Sequence, residues 1–282
     1  MKHALDYKNS PRTIKFESTI ADVLKKIIDE KKSRLLVTEN DQITGIVTEK
    51  DLGVFLLTDD SEKNLNEIPL SAIVKKIISV DEHTSLIECA EIMLTKSIGS
   101  LVITSKNEVV GILTKTDLVR YFSKTHPDEK IVGEYMSPYY AWQYSDTPLH
   151  KVVLKMIDEK ISRVIIRNRD DAPVGIITFR DLFELALKQG NFEDVLDNTD
   201  PVISVIFPRK GFITESGFGK SIKAEDIMSK DIVSVNYDDD LASTSKMLLE
   251  KNINGVGVLS THGNIVGILS KTDIMKVVAF LK

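Results

Sequence analysis

The sequence contains a single cysteine, Cys89, and therefore no cysteine pair for an intrachain disulfide. Cys89 lies in an apolar helical pattern, which predicts a small buried core residue. The five histidines are scattered without the spacing of a metal-binding pair, and no nucleophile-elbow, His-Glu-x-x-His or Cys-x-x-Cys motif is present. We therefore expect no metal site, no catalytic cofactor and no enzymatic activity.

An excess of positive charge is also lacking. The 282 residues include 37 Lys and Arg against 42 Asp and Glu, which gives a net charge of −5. Affinity for a nucleic-acid backbone comes from clustered Lys and Arg, so we expect no nucleic-acid partner. No apolar run approaches the roughly 18 residues that cross a bilayer, and the first residues do not resemble a signal peptide. These observations predict a cytoplasmic globular protein without a membrane partner.

One short motif is present four times. Each copy contains a Gly, two apolar residues, a Ser or Thr, two variable residues and an Asp, at residues 45–51, 111–117, 175–181 and 267–273. The Gly and the apolar residues predict the end of a buried strand. The hydroxyl residue and the Asp predict the start of a helix.

Two explanations fit a single copy of this motif. A Ser or Thr at the N-cap with an acid three residues later forms a capping box, so Thr114 and Asp117 have a structural explanation. The same geometry also suits a ligand, because a helix N-terminus attracts phosphate and an Asp accepts hydrogen bonds from the two hydroxyls of a ribose. One copy alone does not decide between them.

The copies recur roughly every 65 residues, with a longer gap before the fourth, which indicates repeated supersecondary units. Each unit shows the same order of signals, β-α-β-β-α. We predict repeats at residues 10–65, 66–125, 130–189 and 222–282, with a linker or insertion at residues 190–221. In the third repeat, Thr147 and Pro148 predict a helix cap followed by a first-turn proline.

The four repeats alternate in detail. Residues 29–34 of the first repeat are nearly identical to residues 158–163 of the third, and residues 110–117 of the second to residues 266–273 of the fourth. This alternation indicates that a two-repeat module was doubled. Within the insertion, residues 214–221 approach a phosphate-binding loop, but Thr214 replaces its first Gly and no surrounding βαβ unit is predicted.

Four registered copies of this β-α-β-β-α unit resemble the CBS domain family, and the resemblance covers nearly the whole chain outside the insertion. The layout is similar to that of the γ subunit of AMP-activated protein kinase, in which four CBS repeats pair into two Bateman modules. The resemblance implies an α+β fold. It also implies clefts between paired repeats that bind adenosine ligands, with the motif Asp on the ribose and the Ser or Thr residues near the phosphate.

The resemblance further implies which residues line two favoured clefts. In each cleft the Asp comes from an even repeat, the second or the fourth, and the Arg from an odd repeat, the first or the third. The first would contain Ser10, Arg12, Ser33, Arg34, Thr114, Thr116 and Asp117. The second would contain Ser137, Tyr139, Ser162, Arg163, Ser270, Thr272 and Asp273.

The two remaining clefts are expected to bind more weakly. They retain Asp51 with Thr48, and Asp181 with Thr178, but Lys50 and Arg180 replace the second hydroxyl residue. Residues 99–100 and 254–255 stand where the Arg of the partner repeat would lie. Losing that Arg removes a charge-assisted contact to phosphate of roughly 1.5–3 kcal/mol.

An aromatic stretch at residues 135–144 holds the single Trp and several of the seven Tyr. Packing of a strand explains it, and so does an aromatic wall for adenine or a surface for a protein partner.

Three hypotheses about function follow. The first is a regulatory protein that binds AMP, ADP, ATP or S-adenosylmethionine as a regulatory ligand and signals to a protein partner. The second is a ligand-independent scaffold in which the motifs are only helix caps, and the third is an enzyme that uses the insertion. The sequence identifies neither the ligand nor the partner, and it fits both a monomer with two modules and a homodimer.

Overall fold

The computed structural model describes residues 2–59, 61, 63, 65–127, 130–189, 222–230 and 232–281. The insertion predicted at residues 190–221, including the stretch that approaches a phosphate-binding loop, lies outside the described residues. Within the described ranges, the chain contains the predicted mixture of helices and small sheets.

The first two repeats have the predicted order of elements. The first contains β1 (Thr13–Lys15), α1 (Ile20–Asp29), β2 (Arg34–Glu39), β3 (Gln42–Thr48) and α2 (Glu49–Thr58). The second contains β4 (Ser79–Asp81), α3 (Leu86–Thr95), β5 (Ser100–Ser105), β6 (Glu108–Thr114) and α4 (Lys115–Thr125). Short 3₁₀ helices, Ala4–Tyr7 and Leu70–Ala72, precede them.

The third and fourth repeats follow the same plan. After the short helix α5 (Val132–Tyr135), the third contains β7 (Trp142–Tyr144), α6 (Leu149–Asp158), β8 (Arg163–Arg167), β9 (Pro173–Thr178) and α7 (Phe179–Gln189). The fourth is preceded by α8 (Ala224–Ile227) and β10 (Ser229–Lys230), and it contains β11 (Ser234–Asn236), α9 (Leu241–Glu250), β12 (Gly255–Leu259), β13 (Ile265–Ser270) and α10 (Lys271–Ala279). The α+β fold of four β-α-β-β-α repeats is confirmed.

Each repeat forms its own small sheet. The first strand pairs in parallel with the second, across the intervening helix, and the second pairs antiparallel with the third. In the second repeat the hairpin turns at Lys106 and Asn107, whose φ angles are 50° and 68°. Two consecutive positive φ angles are typical of a two-residue hairpin turn that follows the twist of the strands.

The structure divides into two compact units. Unit 1 contains the second and fourth repeats, within Met1–Pro11, Ile77–Tyr140 and Ile232–Lys282. Its helices α3 and α4 pack against α10, and α4 also packs against α9. The apolar faces of these helices form one core, in which Leu118, Phe122, Ile274 and Val278 are completely buried.

Unit 2 contains the first and third repeats, within Arg12–Lys76 and Ala141–Asp231. Here α2 packs against α1, α6 and α7, and Leu52 and Leu56 lie in the shared core. Phe179 stacks on Phe183 and also lies against Gly53, where an added Cβ atom would be 2.7 Å from the Phe179 ring. Gly53 thus permits a close contact between the two repeats of unit 2.

Four short segments, which we call straps, precede the repeats along the chain. Straps 1 to 4 are residues 2–11, 65–76, 130–140 and 222–230. Straps 1 and 3 lie in unit 1, where their backbones form hydrogen bonds with the second and the fourth repeat, respectively. Straps 2 and 4 lie in unit 2, where they form hydrogen bonds with the first and the third repeat. Strap 1 precedes the first repeat but packs on the second, and strap 2 precedes the second repeat but packs on the first. Straps 3 and 4 are exchanged in the same way between the third and fourth repeats.

Strap exchange also explains one wrong expectation. Helix α6 begins at Leu149, with Pro148 at the N-cap, so Thr147 is not the cap and Pro148 is not in the first turn. The carbonyl of Thr147 instead accepts a hydrogen bond from the N–H of Ala224 in strap 4 (2.9 Å), and the N–H of Leu149 donates to the carbonyl of Ile222 (2.8 Å). The Ile222 carbonyl of the strap thus accepts from one of the first-turn N–H groups that a threonine cap could otherwise satisfy.

Cys89 lies in the core of unit 1, as predicted, and is completely buried. Burial disfavours the thiolate and raises the pKa of the Cys89 thiol from 9.0 to about 12. We expect a thiol reagent at pH 8 to label Cys89 only when unit 1 unfolds, because the folded thiol is both protonated and inaccessible. Labelling of the native protein as fast as in denaturant would contradict this prediction.

Candidate functional site

In all four copies, one oxygen of the motif Asp caps the helix that follows. Oδ2 accepts hydrogen bonds from the backbone N–H and from the side-chain hydroxyl of the N-cap residue. The two distances are 3.1 and 2.5 Å at Asp51, 2.9 and 2.7 Å at Asp117, 2.7 and 2.6 Å at Asp181, and 2.9 and 2.6 Å at Asp273. The capping explanation of the motif is therefore correct for every repeat.

The other oxygen of each carboxylate, Oδ1, contacts groups outside the cap. Oδ1 of Asp273 accepts from the Ser137 hydroxyl (2.9 Å) and from the Lys276 ammonium (3.0 Å). Oδ1 of Asp117 accepts from the Arg120 guanidinium (2.5 Å), which like Lys276 lies three residues after the Asp. Since Oδ2 holds the helix end, Oδ1 is free of the capping role and is the oxygen that can serve a ligand.

The motif Gly lets a strap approach this carboxylate. In the fourth repeat, Ser137 of strap 3 exchanges two backbone hydrogen bonds with Ile268, both 2.9 Å. In the second repeat, Asn9 of strap 1 pairs with Ile112 in the same way, at 3.0 Å. A Cβ atom added to Gly267 would lie 2.5 Å from the Met136 sulfur and 2.8 Å from the Ser137 carbonyl oxygen. The strap reaches the Asp because no side chain stands between them.

This geometry makes Gly267→Ala a test of the strap. We expect the new methyl group to displace strap 3, to break the contact between Ser137 and Asp273, and to lower the free energy of unfolding by about 1–3 kcal/mol. Urea denaturation measures this change. Gly257→Ala is the matched control, because the atom nearest its Cβ would be the flexible end of the Ile265 side chain, at 2.9 Å, with no backbone atom among the nearest three. Equal losses in the two variants would contradict the role given to Gly267.

The second and fourth motifs also differ from the others in burial. Asp117 and Asp273 are 2% and 4% exposed, whereas Asp51 and Asp181 are half-buried. Next to them, the hydroxyls of Thr116 and Thr272 accept hydrogen bonds from lysines of the opposite repeat of unit 1. A nearly buried carboxylate with neighbouring hydroxyls and cations suits the recognition of a polar, anionic ligand.

In the first and third repeats, Oδ1 of the motif Asp contacts residues of straps 2 and 4. Oδ1 of Asp51 forms an ion pair with the Lys75 ammonium of strap 2, at 2.7 Å. Oδ1 of Asp181 accepts from the Ser229 hydroxyl of strap 4, at 2.8 Å, just as Asp273 accepts from Ser137. A ribose hydroxyl at Asp51 must therefore compete with a cation, as it must at Asp117 and Asp273, whereas Ser229 is a neutral partner of Asp181.

The other predicted site residues are distributed over both units. Ser10 and Tyr139 belong to unit 1, and Tyr139 is 92% exposed. Unit 2 contains Arg12, Ser33, Arg34, Ser162 and Arg163. Within it, Arg34 donates to the Ser33 hydroxyl (3.3 Å) and Arg12 pairs with Glu30 (3.4 Å). The roles implied for these residues as partners of Asp117 and Asp273 stay predictions.

Several residues around the motifs were missed by sequence reasoning. They are Lys75, Lys115, Arg120, Ser229, Lys271 and Lys276. The sequence contained a signal for four of these residues. Lys115 and Lys271 belong to the stretch shared by the second and fourth repeats, and a cation follows three residues after Asp117 and after Asp273.

The aromatic stretch contributes to a strand and to an exposed surface. Trp142 and Tyr144 lie on β7, an edge strand of unit 2, with ring centroids 5.1 Å apart. The Arg167 guanidinium lies 4.9 Å from the centre of the Trp142 ring, and that of Arg169 lies 4.6 Å from the centre of the Tyr144 ring. Arginine stacking explains these two aromatics without a ligand.

In the described part of the chain, no group of three or more His, Cys, Asp or Glu side chains is arranged to hold a metal ion. None of the helices described there is long and apolar enough to cross a bilayer.

Comparison with known families supports the fold and the motif. The CBS domain profile matches residues 6–55, 69–124, 132–188 and 224–280. These four matches cover most of the sequence, so the chain belongs to the CBS domain family. Each match contains one of the four Gly-to-Asp motifs.

Among curated proteins, the chain is 29% identical over 131 residues to the uncharacterized protein MK0525 of Methanopyrus kandleri, covering 46% of this chain and 54% of that protein. It is 23% identical over 215 residues to the uncharacterized protein MJ1404 of Methanocaldococcus jannaschii, covering 75% of this chain and 44% of that protein. The chain thus spans about half the length of these relatives.

Two solved structures extend over nearly the whole chain. Protein MJ1225 from Methanocaldococcus jannaschii, a candidate archaeal homolog of g-AMPK, aligns with a TM-score of 0.78 at 20% identity, covering 98% of this chain and 99% of that one. A conserved protein from Pyrococcus horikoshii aligns with a TM-score of 0.64 at 18% identity, covering 98% and 100%. At these identities the similarity establishes the four-repeat fold.

Proposed function

We propose that this protein is a non-catalytic regulatory protein that binds an adenine nucleotide at Asp117 and at Asp273. The observation that supports the proposal is that the two oxygens of each carboxylate have different partners. Oδ2 is committed to the helix cap, whereas Oδ1 faces polar groups that a ligand hydroxyl can join or replace.

The ribose diol is the natural partner of Oδ1. A carboxylate oxygen has about two acceptor directions, so Oδ1 of Asp273 can accept a ribose hydroxyl and keep the Ser137 hydroxyl at 2.9 Å if the ribose displaces the half-exposed Lys276 ammonium. Hydrogen bonds to an ionised acceptor stabilise a complex by about 1.5–3 kcal/mol, more than neutral ones do. The burial of Asp117 and Asp273 strengthens such bonds further because water competes less.

The four sites should differ in affinity. We propose that Asp51 and Asp181 bind more weakly than Asp117 and Asp273, because they are half-buried and water competes more for their hydrogen bonds. A cation on Oδ1 does not separate the sites, since Asp51, Asp117 and Asp273 each have one. In addition, Lys50 and Arg180 stand where the even repeats have the hydroxyls of Thr116 and Thr272.

Regulation would follow from the effect of the ligand on the protein. A nucleotide that binds one arrangement of the straps and motif helices better than another shifts the population toward the favoured arrangement. The surface offered to a protein partner then changes with nucleotide concentration. This mechanism requires no catalytic group.

A ligand-independent scaffold is the second candidate. It is favoured by one specific observation, that Oδ1 of all four motif aspartates already has a hydrogen-bonding partner within the protein. In that case the four carboxylates would serve only folding.

Isothermal titration calorimetry distinguishes the two candidates. Titrations with AMP, ADP, ATP, S-adenosylmethionine and NAD are expected to give binding heat with at least one of these compounds. Mass spectrometry of freshly purified protein identifies any ligand that it retains. The absence of heat with all five compounds, together with no retained nucleotide, would favour the scaffold.

A further inference from the structure

Straps 3 and 4 each place a methionine sulfur against the motif Gly of the repeat on which they pack. The sulfur of Met136 lies 2.5 Å from the position that a Cβ atom of Gly267 would take. The sulfur of Met228 lies 2.5 Å from the corresponding position at Gly175. Each thioether therefore occupies the space that a side chain would fill at any residue other than glycine.

The two methionines have the same local structure. Met136 is the C-cap of α5 and Met228 is the C-cap of α8, and their N–H groups donate to the first residues of these helices at 3.0 and 2.9 Å. The next residue in each strap is a serine, Ser137 or Ser229, whose hydroxyl donates to Oδ1 of the motif Asp at 2.9 or 2.8 Å. The contact between sulfur and Gly thus helps to hold the backbone that carries the serine.

Straps 1 and 2 approach their motif Gly in the same way without sulfur. The Cβ atom of Lys8 lies 3.0 Å from the position of a Cβ atom added to Gly111, and the Val74 side chain packs on Gly45. Neither strap contains a methionine or a cysteine. Carbon side chains are therefore sufficient to hold a strap in place, and the sulfur gives straps 3 and 4 a chemical reactivity that straps 1 and 2 do not have.

Solvent exposure separates these two methionines from those of the core. Met136 and Met228 are partly buried at the edges of their units. By contrast, Met93, Met156 and Met275 are at most 2% exposed. Because oxidation of a methionine requires an oxidant to reach its sulfur, the strap methionines are open to a dissolved peroxide while the core methionines are protected.

We propose that Met136 and Met228 are modification sites at which oxidation by hydrogen peroxide releases straps 3 and 4. The peroxide transfers an oxygen atom to the thioether, which is oxidised by two electrons to a sulfoxide, and the peroxide is reduced to water. The new oxygen makes the side chain larger and polar at a close contact, so the strap moves away from the Gly together with its serine. The inference goes beyond the proposed function, because it requires no nucleotide.

The test treats the full-length protein with hydrogen peroxide, without nucleotide, and follows it by mass spectrometry. Peptide mapping is expected to find sulfoxide at Met136 and Met228 while the core methionines stay reduced. Hydrogen exchange in straps 3 and 4 should then become at least about tenfold faster, whereas straps 1 and 2 should stay within about twofold of their original rates. Straps 3 and 4 that exchange equally slowly after both sulfurs are oxidised would overturn the inference, as would strap methionines that resist peroxide like those of the core.

The Met136→Leu/Met228→Leu double variant keeps apolar side chains of similar volume and removes the sulfur. Its straps 3 and 4 should exchange slowly both before and after peroxide treatment. Met247→Leu is the matched control, because Met247 is partly buried on α9, outside the straps, and its replacement should leave the response to peroxide unchanged. A response that persists in the strap variant, or that disappears in Met247→Leu, would contradict the assignment to the strap methionines.

If the strap variant does not fold, the wild-type protein still provides the test. Methionine sulfoxide reductases, supplied with a dithiol as reductant, convert both sulfoxide epimers back to the thioether. Once mass spectrometry shows that Met136 and Met228 are reduced again, straps 3 and 4 should return to within about twofold of their original exchange rates. Exchange that stays fast in the repaired protein would show that peroxide acts elsewhere and would overturn the inference.

Discussion

Replacing Asp117 and Asp273 with Asn should abolish nucleotide binding in unit 1 while leaving the fold intact. In the Asn side chain, the amide oxygen can still accept from the cap residue, as Oδ2 does now at 2.9 and 2.7 Å in the second repeat. The amide nitrogen then stands in the place of Oδ1, and it donates where the ribose hydroxyls need an acceptor. The substitution thus separates the cap from the ligand site.

The expected change in stability follows from the thermodynamic linkage between ligand binding and folding. A ligand present at a hundredfold excess over its dissociation constant stabilises the folded state by about 2.7 kcal/mol. We expect thermal denaturation of the wild-type protein to show this stabilisation with AMP or ATP and the Asn double variant to lose it. Without ligand, the variant should lose about 1–3 kcal/mol of stability at each position, because Arg120 and Lys276 no longer face a carboxylate oxygen. An unchanged ligand shift in the variant would contradict the role of Oδ1.

The second large effect is expected in the core of unit 1. Phe122 is completely buried on α4, and its ring stacks on His126 with centroids 5.3 Å apart. Phe122→Ala should lower the free energy of unfolding by about 3–5 kcal/mol, because it removes apolar contacts and leaves a cavity. Urea denaturation followed by circular dichroism measures the loss.

Phe122→Leu provides the control for this core position. It keeps an apolar side chain of nearly the right volume and should cost less than about 1.5 kcal/mol. Because α4 also carries Asp117, the Ala variant should bind nucleotide less tightly at ordinary temperature. A loss below about 1 kcal/mol for Phe122→Ala would show that α4 is not packed in this core.

Much of the fold could be predicted because short local sequence patterns specify the helices and strands of each repeat. The motif Gly, the apolar pair and the hydroxyl residue identified β6 and the start of α4, and the capping box at Thr114 and Asp117 formed as expected. The apolar spacing around Cys89 identified a buried helix face. These features depend on residues within a few positions of one another, which is why one sequence was sufficient.

The features that could not be predicted depend on distant parts of the chain. Lys75 reaches Asp51 because strap 2 returns to the first repeat, and Pro148 becomes an N-cap because strap 4 satisfies the backbone around it. The reciprocal contacts of Lys115 with Thr272 and of Lys271 with Thr116 join residues of different repeats. No local pattern specifies which repeats share a unit, so their side-chain partners became visible only in the structure.

The central claim is that Oδ1 of Asp117 and of Asp273 accepts hydrogen bonds from a ribose diol. It is tested most directly by comparing the dissociation constants of AMP and 2′-deoxy-AMP by calorimetry. Removing one hydroxyl that bonds a carboxylate should weaken binding by roughly 10- to 100-fold, and the Asn double variant should not discriminate between the two compounds. Equal affinities of the wild-type protein for AMP and 2′-deoxy-AMP would contradict the claim.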